Sequence, residues 1–289
     1  MSRLIFAFMY LVHFLPFSMI AKVGNAVGTV MFWLIPERRR VTRINLEKCF
    51  PQMPAPEREK LARAHFRAFC RGMVERSVLW WSKPERIRRF VVLEGLEHLE
   101  QAPRPAIVFA PHFAGLDAAI TRLSMDQKMA LMYARQKDKQ FDRLLYHGRA
   151  RFGAHVFPRQ AGNREGLRAM AEGSIYFYLP DLDHGRRHAV FVPFFGVPAA
   201  TITGLSYIAR SAGASVVPCV VRMLRGGGYA ARLYPAWRDF PSADDAAGAA
   251  ADARRMLAFV EERVLEMPEQ YHWLHKRFKT RPSGERSFY

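Results

Sequence analysis

The chain has 289 residues, half of them apolar, and 44 lysines and arginines against 26 acidic residues give a formal net charge of +18. This length suits one large α/β domain, and the charge predicts an anionic partner: nucleic acid, a membrane surface or an acidic protein. The sequence has no zinc-finger spacing, ribonucleoprotein motif or convincing helix-turn-helix pattern, and its 22 phenylalanines suit lipid better than a duplex, so we expect no nucleic acid partner.

Residues 4–35 are the most apolar part of the chain. One apolar run covers residues 4–20, a second covers 26–35, and Glu37-Arg38-Arg39-Arg40 ends the segment. No small-x-small site follows a short apolar core, so the pattern does not favour a cleaved signal peptide. It indicates a membrane anchor over residues 1–40, either one imperfect transmembrane helix or a hairpin in one leaflet, in preference to a buried helical pair. The arginines place the following domain, 41–289, on the cytoplasmic side.

The remainder predicts alternating helices and strands. After a proline-bounded linker at 51–56, an amphipathic helix is expected over 57–81. Strands are predicted at 91–93, 106–109, 129–133, 154–157, 174–179, 190–192, 216–221 and 229–234, and helices after Asp117 and at 138–151, 164–171, 203–213 and 254–266. This alternation predicts an α/β fold with a mostly parallel central sheet flanked by helices, with sites at the carboxyl ends of the strands.

One such strand end carries the candidate chemistry. Segment 106–117, AIVFAPHFAGLD, places His112 just after a buried strand and Asp117 at the start of a helix. In that geometry the carboxylate could reach one imidazole nitrogen and leave the other to act as a general base. The spacing alone is weak evidence, because histidine and aspartate five positions apart occur in many proteins.

The cysteines and the candidate pair indicate neither a disulfide framework nor a metal. Cys49, Cys70 and Cys219 have no paired spacing and lie in apolar surroundings, so we expect them to be free and buried. His112 and Asp117 have no further ligands in register, so we expect no metal.

Five ordered segments give the sequence a family resemblance. They are HFAGLD at 112–117, RARFG at 149–153, PDLDHG at 180–185, VFVPFFGVPA at 190–199 and WLHKRFKTRP at 273–282. Together they resemble the late acyltransferases of lipid A biosynthesis, the lauroyl/myristoyl transferase group of the lysophospholipid acyltransferase-like superfamily. The match extends over roughly residues 1–282 and implies a glycerolipid-acyltransferase-like fold.

The resemblance implies roles for individual residues. His112 is the expected general base and Asp117 its orienting partner, although many members of the group have glutamate there. Arg149, with Arg151 as the second choice, is expected to stabilise an oxyanion or bind phosphate. The resemblance also implies substrate contacts for Asp181 and Asp183, although each aspartate could equally well be a turn or cap residue. It further implies that Phe194, Phe195 and Gly196 form a wall of an acyl-chain groove.

The resemblance further implies transfer of a fatty acyl chain from acyl-acyl carrier protein to a hydroxyl of a lipid A precursor, without an acyl-enzyme. The expected partners are the carrier protein, the anionic precursor and the inner membrane, and no cofactor is expected beyond the acyl-carrier co-substrate. Three alternatives stay open: a lysophospholipid or aminolipid O-acyltransferase, a non-catalytic membrane lipid-binding protein, and a nucleic-acid-binding protein explained by charge alone.

Overall fold

The computed structural model describes residues 2–289, with side chains from residue 4 onward. Its helices are α1 (Ser2–Val12), α2 (Phe17–Leu34), α3 (Pro36–Cys49), α4 (Ala55–Trp81), α5 (Pro84–Phe90), α6 (Leu96–Glu100), α7 (Leu116–Leu123), α8 (Lys139–Ala150), α9 (Gly162–Ala171), α10 (Gly204–Ala212) and α11 (Ala246–Glu266). Its strands are β1 (Val91–Glu94), β2 (Ala106–Phe109), β3 (Met129–Tyr133), β4 (His155–Pro158), β5 (Ile175–Tyr178), β6 (Ala189–Phe194), β7 (Val197–Ile202), β8 (Ser215–Met223) and β9 (Tyr229–Leu233).

Seven strands form the central sheet, in the order β1-β9-β8-β2-β5-β3-β4. Every neighbouring pair is parallel except β8 and β9, which are antiparallel. Strands β2 (AIVF) and β5 (IYFY) are buried at every position, as expected for parallel strands covered on both faces by helices. The predicted α/β class with a mostly parallel sheet is confirmed.

The predicted strand at 190–192 does not join that sheet. It lies in β6, which pairs only with β7 in a separate antiparallel hairpin. Phe195 and Gly196 form the connecting turn with φ of 48° and 76°, and positive φ at both positions is typical of the turns that connect tight hairpins. A two-residue turn forces antiparallel pairing, which places this segment outside the crossover pattern of the rest of the chain.

The N-terminal helices pack on the domain through one face only. Gly24 and Gly28 of α2 lie against α4 so closely that an added Cβ would come within 2.5 Å of the Cα atoms of Arg71 and Arg67. The opposite faces of α1 and α2 expose large apolar side chains, among them Leu4, Leu11, Trp33 and Leu34, and Phe14 in the turn between the two helices is exposed as well. Among residues 2–289, α2 is the one helix long and apolar enough to cross a membrane. The predicted division at residue 40 falls inside α3.

The chain's C-terminal part is fixed to the carboxyl edge of the sheet. Phe113 forms a single antiparallel bridge with Tyr271, and the Ala114 amide donates to the Gln270 carbonyl (2.7 Å). The side-chain amide Nδ2 of Asn45, in α3, donates to the carbonyls of Trp273 (2.8 Å) and His275 (2.7 Å). These bonds hold residues 270–275 beside the loop that follows β2.

The expectation for the cysteines is confirmed, since Cys49, Cys70 and Cys219 are all free and buried.

Candidate active site

Two equivalent strand ends place a histidine beside an aspartate. Strands β2 and β5 are parallel neighbours in which Phe109 lies opposite Tyr178. Each strand is followed by one residue, a proline and then a polar residue, which gives Phe109-Ala110-Pro111-His112 and Tyr178-Leu179-Pro180-Asp181. The Ala110 amide still donates to the Tyr178 carbonyl (3.0 Å), so the two segments leave the sheet together. His112 and Asp181 therefore emerge side by side.

Asp181 holds both the ring and the backbone of His112. The His112 Nδ1 donates to Asp181 Oδ1 at 2.6 Å, and the His112 amide donates to Asp181 Oδ2 at 3.0 Å. Asp181 is fully buried. Burial acts to raise the pKa of this carboxyl, but the His112 imidazole and its hydrogen bonds outweigh burial and lower the pKa to about 2.

This contact determines which imidazole nitrogen is available for chemistry. An ionised carboxylate only accepts hydrogen bonds, so the proton of a neutral His112 ring lies on Nδ1 and the lone pair on Nε2. Within residues 2–289, no group hydrogen-bonds to Nε2, and the His112 side chain keeps a quarter of its surface exposed. The ring is thus held in the tautomer of a general base with its basic nitrogen free.

The predicted pairing of Asp117 with His112 is wrong. Asp117 lies in the first turn of α7 and binds two arginines instead, with Arg149 Nε of α8 at 2.6 Å and Arg76 Nε of α4 at 2.6 Å. Burial acts to raise the pKa of Asp117, but Arg149 and then Arg76 lower the pKa to about 2. The carboxylate joins three helices and orients two guanidinium groups.

Gly115 separates the two motif residues. It has a φ of +87°, and an added Cβ would lie 2.0 Å from the buried Tyr229 ring. Only glycine fits this close approach in a left-handed conformation. The chain therefore turns sharply between His112 and the start of α7, which breaks the geometry that the spacing alone predicts.

Arg151 and Asp183 are occupied within the fold. Arg151 donates to the carbonyls of Leu79 (2.9 Å) and Ser82 (2.7 Å) at the end of α4, which leaves Arg149 as the first choice for the predicted anion contact. Asp183 is buried and accepts from the Thr280 amide (2.6 Å) and the Gly185 amide (2.9 Å). These contacts fit the alternative expectation, that Asp183 is a turn residue.

The three predicted groove-wall residues lie in and around the turn between β6 and β7. Phe194 is fully buried, with its ring centre 5.7 Å from that of Tyr271. Phe195 is half-buried, its ring centre 5.0 Å from that of Phe50. Gly196 is exposed at the turn. Their contact with an acyl chain stays a prediction.

Comparison with known proteins assigns the family. The model of the bacterial lipid A biosynthesis acyltransferase family matches residues 2–280. The chain belongs to this family. It is 34% identical to the lipid A biosynthesis lauroyltransferase of Escherichia coli over 97% of this chain and 92% of that protein. It is 31% identical to the palmitoleoyltransferase of the same organism, covering 95% and 90%, and 33% identical to its myristoyltransferase, covering 92% and 81%.

A solved structure, the 1-acyl-sn-glycerophosphate acyltransferase of Thermotoga maritima, has a TM-score of 0.42 and 16% identity to this chain, covering 87% of this chain and 99% of that one. Membership in the lipid A acyltransferase family makes the chain an enzyme that transfers acyl groups other than aminoacyl groups. The resemblance drawn from the five sequence segments is confirmed.

Sequence reasoning missed three histidines around His112 in this lipid A acyltransferase. The His272 ring lies 6.2 Å from that of His112 and nearly parallel to it, and the His275 ring lies 6.3 Å from that of His272. Burial, reinforced by repulsion from His112 among other groups, lowers the pKa of His272 well below its ordinary value and the pKa of His184 and His275 to about 4. These rings are therefore neutral at pH 7 and add no positive charge beside His112.

Sequence reasoning also missed Arg76, which has no pattern distinguishing it from the other arginines of α4. The contact of His112 with Asp181 did have a signal, namely the shared strand-x-Pro-polar pattern at 109–112 and 178–181. Within the described residues, no group of three or more His, Cys, Asp or Glu side chains is arranged to hold a metal ion.

Proposed function

We propose that this enzyme transfers a fatty acyl chain from acyl-acyl carrier protein to a hydroxyl of a lipid A precursor, with His112 as the general base. The observation that carries the proposal is the His112–Asp181 contact: a buried carboxylate holds Nδ1 at 2.6 Å and leaves Nε2 free at the carboxyl end of a central parallel strand. A positioned general base of this kind contributes about 10²–10⁴-fold to rate.

The proposed reaction proceeds in two steps. The acceptor hydroxyl attacks the thioester carbonyl carbon while His112 Nε2 takes the hydroxyl proton, which forms a tetrahedral oxyanion. The oxyanion collapses, the carbon–sulfur bond breaks, and protonated His112 returns the proton to the leaving thiolate. Asp181 stabilises the imidazolium between the two steps and orients the ring. The products are an ester and the free thiol of the carrier.

The chain's own thiols do not support an acyl-enzyme route. Burial raises the pKa of Cys70 to about 11 and that of Cys219 to about 12, and it also raises the pKa of Cys49. A thiol becomes a nucleophile as the thiolate, which these values disfavour at neutral pH. The buried, protonated thiols therefore support direct attack by the acceptor hydroxyl over a cysteine acyl-enzyme.

Arg149 and Arg76 are the proposed anion-stabilising groups. Both bind the single carboxylate of Asp117 through Nε, so the cluster keeps one uncompensated positive charge. Their side chains remain 17% and 22% exposed, and guanidinium groups oriented by a buried carboxylate donate to phosphate or to an oxyanion without large reorganisation. The cluster would serve the reacting oxyanion or a phosphate of the acceptor.

We propose the inner membrane as the location, with the catalytic domain on its cytoplasmic face and residues 1–40 as the anchor. The apolar faces of α1 and α2 are exposed while α2 is fixed to α4 at Gly24 and Gly28. Inserting α2 as a full span would carry the arginines of α4 into hydrocarbon. This packing favours an interfacial hairpin. The net charge of +18 suits an anionic lipid surface, the anionic precursor and an acidic carrier protein.

The decisive assay uses the purified full chain with a labelled acyl-carrier donor and a tetraacylated lipid A precursor. We expect transfer by the wild type and a loss of about 10²–10⁴-fold in kcat for His112→Ala. The matched control is His155→Ala, which removes an exposed histidine from the edge strand β4. Wild-type protein that transfers only to a lysophospholipid, or His112→Ala that transfers as well as wild type, would contradict the proposal.

A further inference from the structure

A polar cavity lies between the loop after β5 and the C-terminal segment, and His112 is not among its lining residues. It has a volume of about 380 Å³ and is lined by Arg186, Lys279, Thr280, Arg281, Glu285 and Ser287. One side comes from the loop after β5 and the other from the C-terminal segment 279–287. None of these residues contributes to the proposed reaction.

The cavity carries an excess of positive charge. Three of its lining residues are cationic and one is acidic, which leaves two positive charges uncompensated. Glu285 pairs with Arg281. Among residues 2–289, the exposed Lys279 has no ion-pair partner. The Thr280 and Ser287 hydroxyls line the same wall but already donate within the chain, to Asp183 and to the Tyr289 carbonyl, so the cationic side chains are the donors open to a ligand.

Among the residues that line the cavity, Arg281 has a guanidinium that is buried yet incompletely bonded, a feature that Arg277 shares elsewhere in the chain. Only 6% of Arg281 is exposed. Its Nη1 donates to the Pro198 carbonyl (2.6 Å) and its Nη2 to Glu285. Within the described residues, its Nε is a buried donor without a hydrogen-bond partner. An unsatisfied donor on a buried cation is costly unless an acceptor is supplied.

We propose that this cavity binds a phosphate group, either free phosphate or the phosphomonoester of a lipid headgroup. A phosphate monoester carries about −1.5 to −2 charge at pH 7 and three strong acceptor oxygens, which match the two uncompensated positive charges. Arginine forks and a lysine ammonium are the side chains that bind phosphate in proteins. The site is separate from the arginine pair at Asp117 and does not depend on the proposed reaction.

The cavity is connected to the loop that carries Asp181. Arg186 Nη2 donates to the Arg281 carbonyl (2.5 Å), and Thr280 donates through its amide (2.6 Å) and hydroxyl (2.8 Å) to Asp183. A phosphate bridging Arg186 and Lys279 would therefore tie the C-terminal segment to the loop that orients His112.

Binding is measured on the detergent-purified full chain by calorimetric titration with inorganic phosphate, without any acyl donor. We expect one saturable site, weakened about tenfold or more by Lys279→Glu, since loss of a charge-assisted contact is of this size. The matched control is Arg286→Glu, which makes the same charge change on an exposed arginine that does not line the cavity. We expect that control to change affinity by about twofold or less, because Arg286 does not line the cavity and acts on a bound phosphate only through a screened long-range interaction.

A second titration identifies the source of the phosphate. Phosphatidylcholine vesicles containing phosphatidic acid, a monoester, are compared with vesicles containing phosphatidylglycerol, a diester. Preference for phosphatidic acid that disappears in Lys279→Glu identifies a headgroup ligand, and a response to inorganic phosphate alone identifies free phosphate. Equal weakening by Lys279→Glu and Arg286→Glu, or no binding with either probe, would overturn the proposal. A Lys279→Glu defect with normal acyl transfer would keep the two proposals distinct.

Discussion

Asp181 and Asp117 are both buried aspartates, but they bind different kinds of side chain. Asp181 accepts from one histidine, whereas Asp117 is shared by two arginines. Each pKa is lowered to about 2, so both are ionised at neutral pH and ionisation does not distinguish them. The partner does: a carboxylate beside an imidazole orients a base, and a carboxylate between two guanidiniums orients cations. The following predictions test this distinction, from the largest expected effect to the smallest.

Asp181→Asn should produce the largest change. Asparagine has one acceptor oxygen and one NH2 donor, so it cannot accept from both the His112 amide and Nδ1–H as Asp181 does, and the tautomer is no longer fixed. We expect kcat to fall by about 10²–10⁴-fold with little change in KM, because Asp181 is fully buried. The downfield proton resonance of His112 Nδ1–H should vanish in Asp181→Asn and persist in Asp117→Asn. Asp126→Asn, which removes an exposed ion-paired carboxylate, is the control. A kcat within a few-fold of wild type would refute the assignment of Asp181 as the positioning residue.

Asp117→Asn should mainly reduce stability. It leaves Arg76 and Arg149 without their common counter-charge, and breaking a buried pair costs about 3–5 kcal/mol. Because both arginines are partly exposed, we expect a decrease of about 2–3 kcal/mol in the free energy of unfolding by urea. Asp117→Glu should recover most of this loss, since it keeps a carboxylate between the two guanidiniums. An unchanged unfolding midpoint would show that the arginine pair does not need Asp117.

The contribution of Asp181 and Asp117 to the free energy of unfolding should be lost only at low pH. Each has a folded-state pKa of about 2, below the ordinary 3.8. Their stabilisation is therefore present above about pH 4 and is lost as pH falls from about 4 to about 2, by about 2 kcal/mol for each carboxylate. Urea unfolding followed across pH should show this loss in wild type and a smaller one in Asp117→Asn.

Loss of stability between about pH 6.5 and about pH 4 comes from the buried histidines with lowered pKa values, namely His184, His272 and His275 near the site and His65 in α4. Burial lowers the pKa of His65 to about 4, although its Nδ1–H donates to the Glu269 carbonyl (3.0 Å). The unfolded chain gains this proton near pH 6.5 and the folded chain does not, so stability falls as pH drops from about 6.5 to about 4. Asp117→Asn should leave that slope intact, and His65→Gln should reduce it. A slope near pH 5 that depends on Asp117 would contradict this separation.

Much of the fold could be predicted from the sequence because its signals are local. Buried runs such as 106–109 and 174–179 indicate covered strands, and the alternation with helices indicates a parallel sheet. The hairpin of β6 and β7 was harder, since its strands read like those of the main sheet and only the turn at Phe195-Gly196 separates them. The periodicity of apolar residues predicts where strands lie, but it does not predict which strands pair with each other.

The sequence by itself determined the family, the α/β class and His112 as the candidate base, because these follow from ordered motifs and local apolar patterns. Only the tertiary structure decided which aspartate His112 contacts. Asp117 is five residues away but Gly115 turns the chain between them, whereas Asp181 is 69 residues away and arrives on the adjacent parallel strand in matching register. Proximity in sequence restrains a side chain less than strand pairing does, because pairing fixes both position and direction.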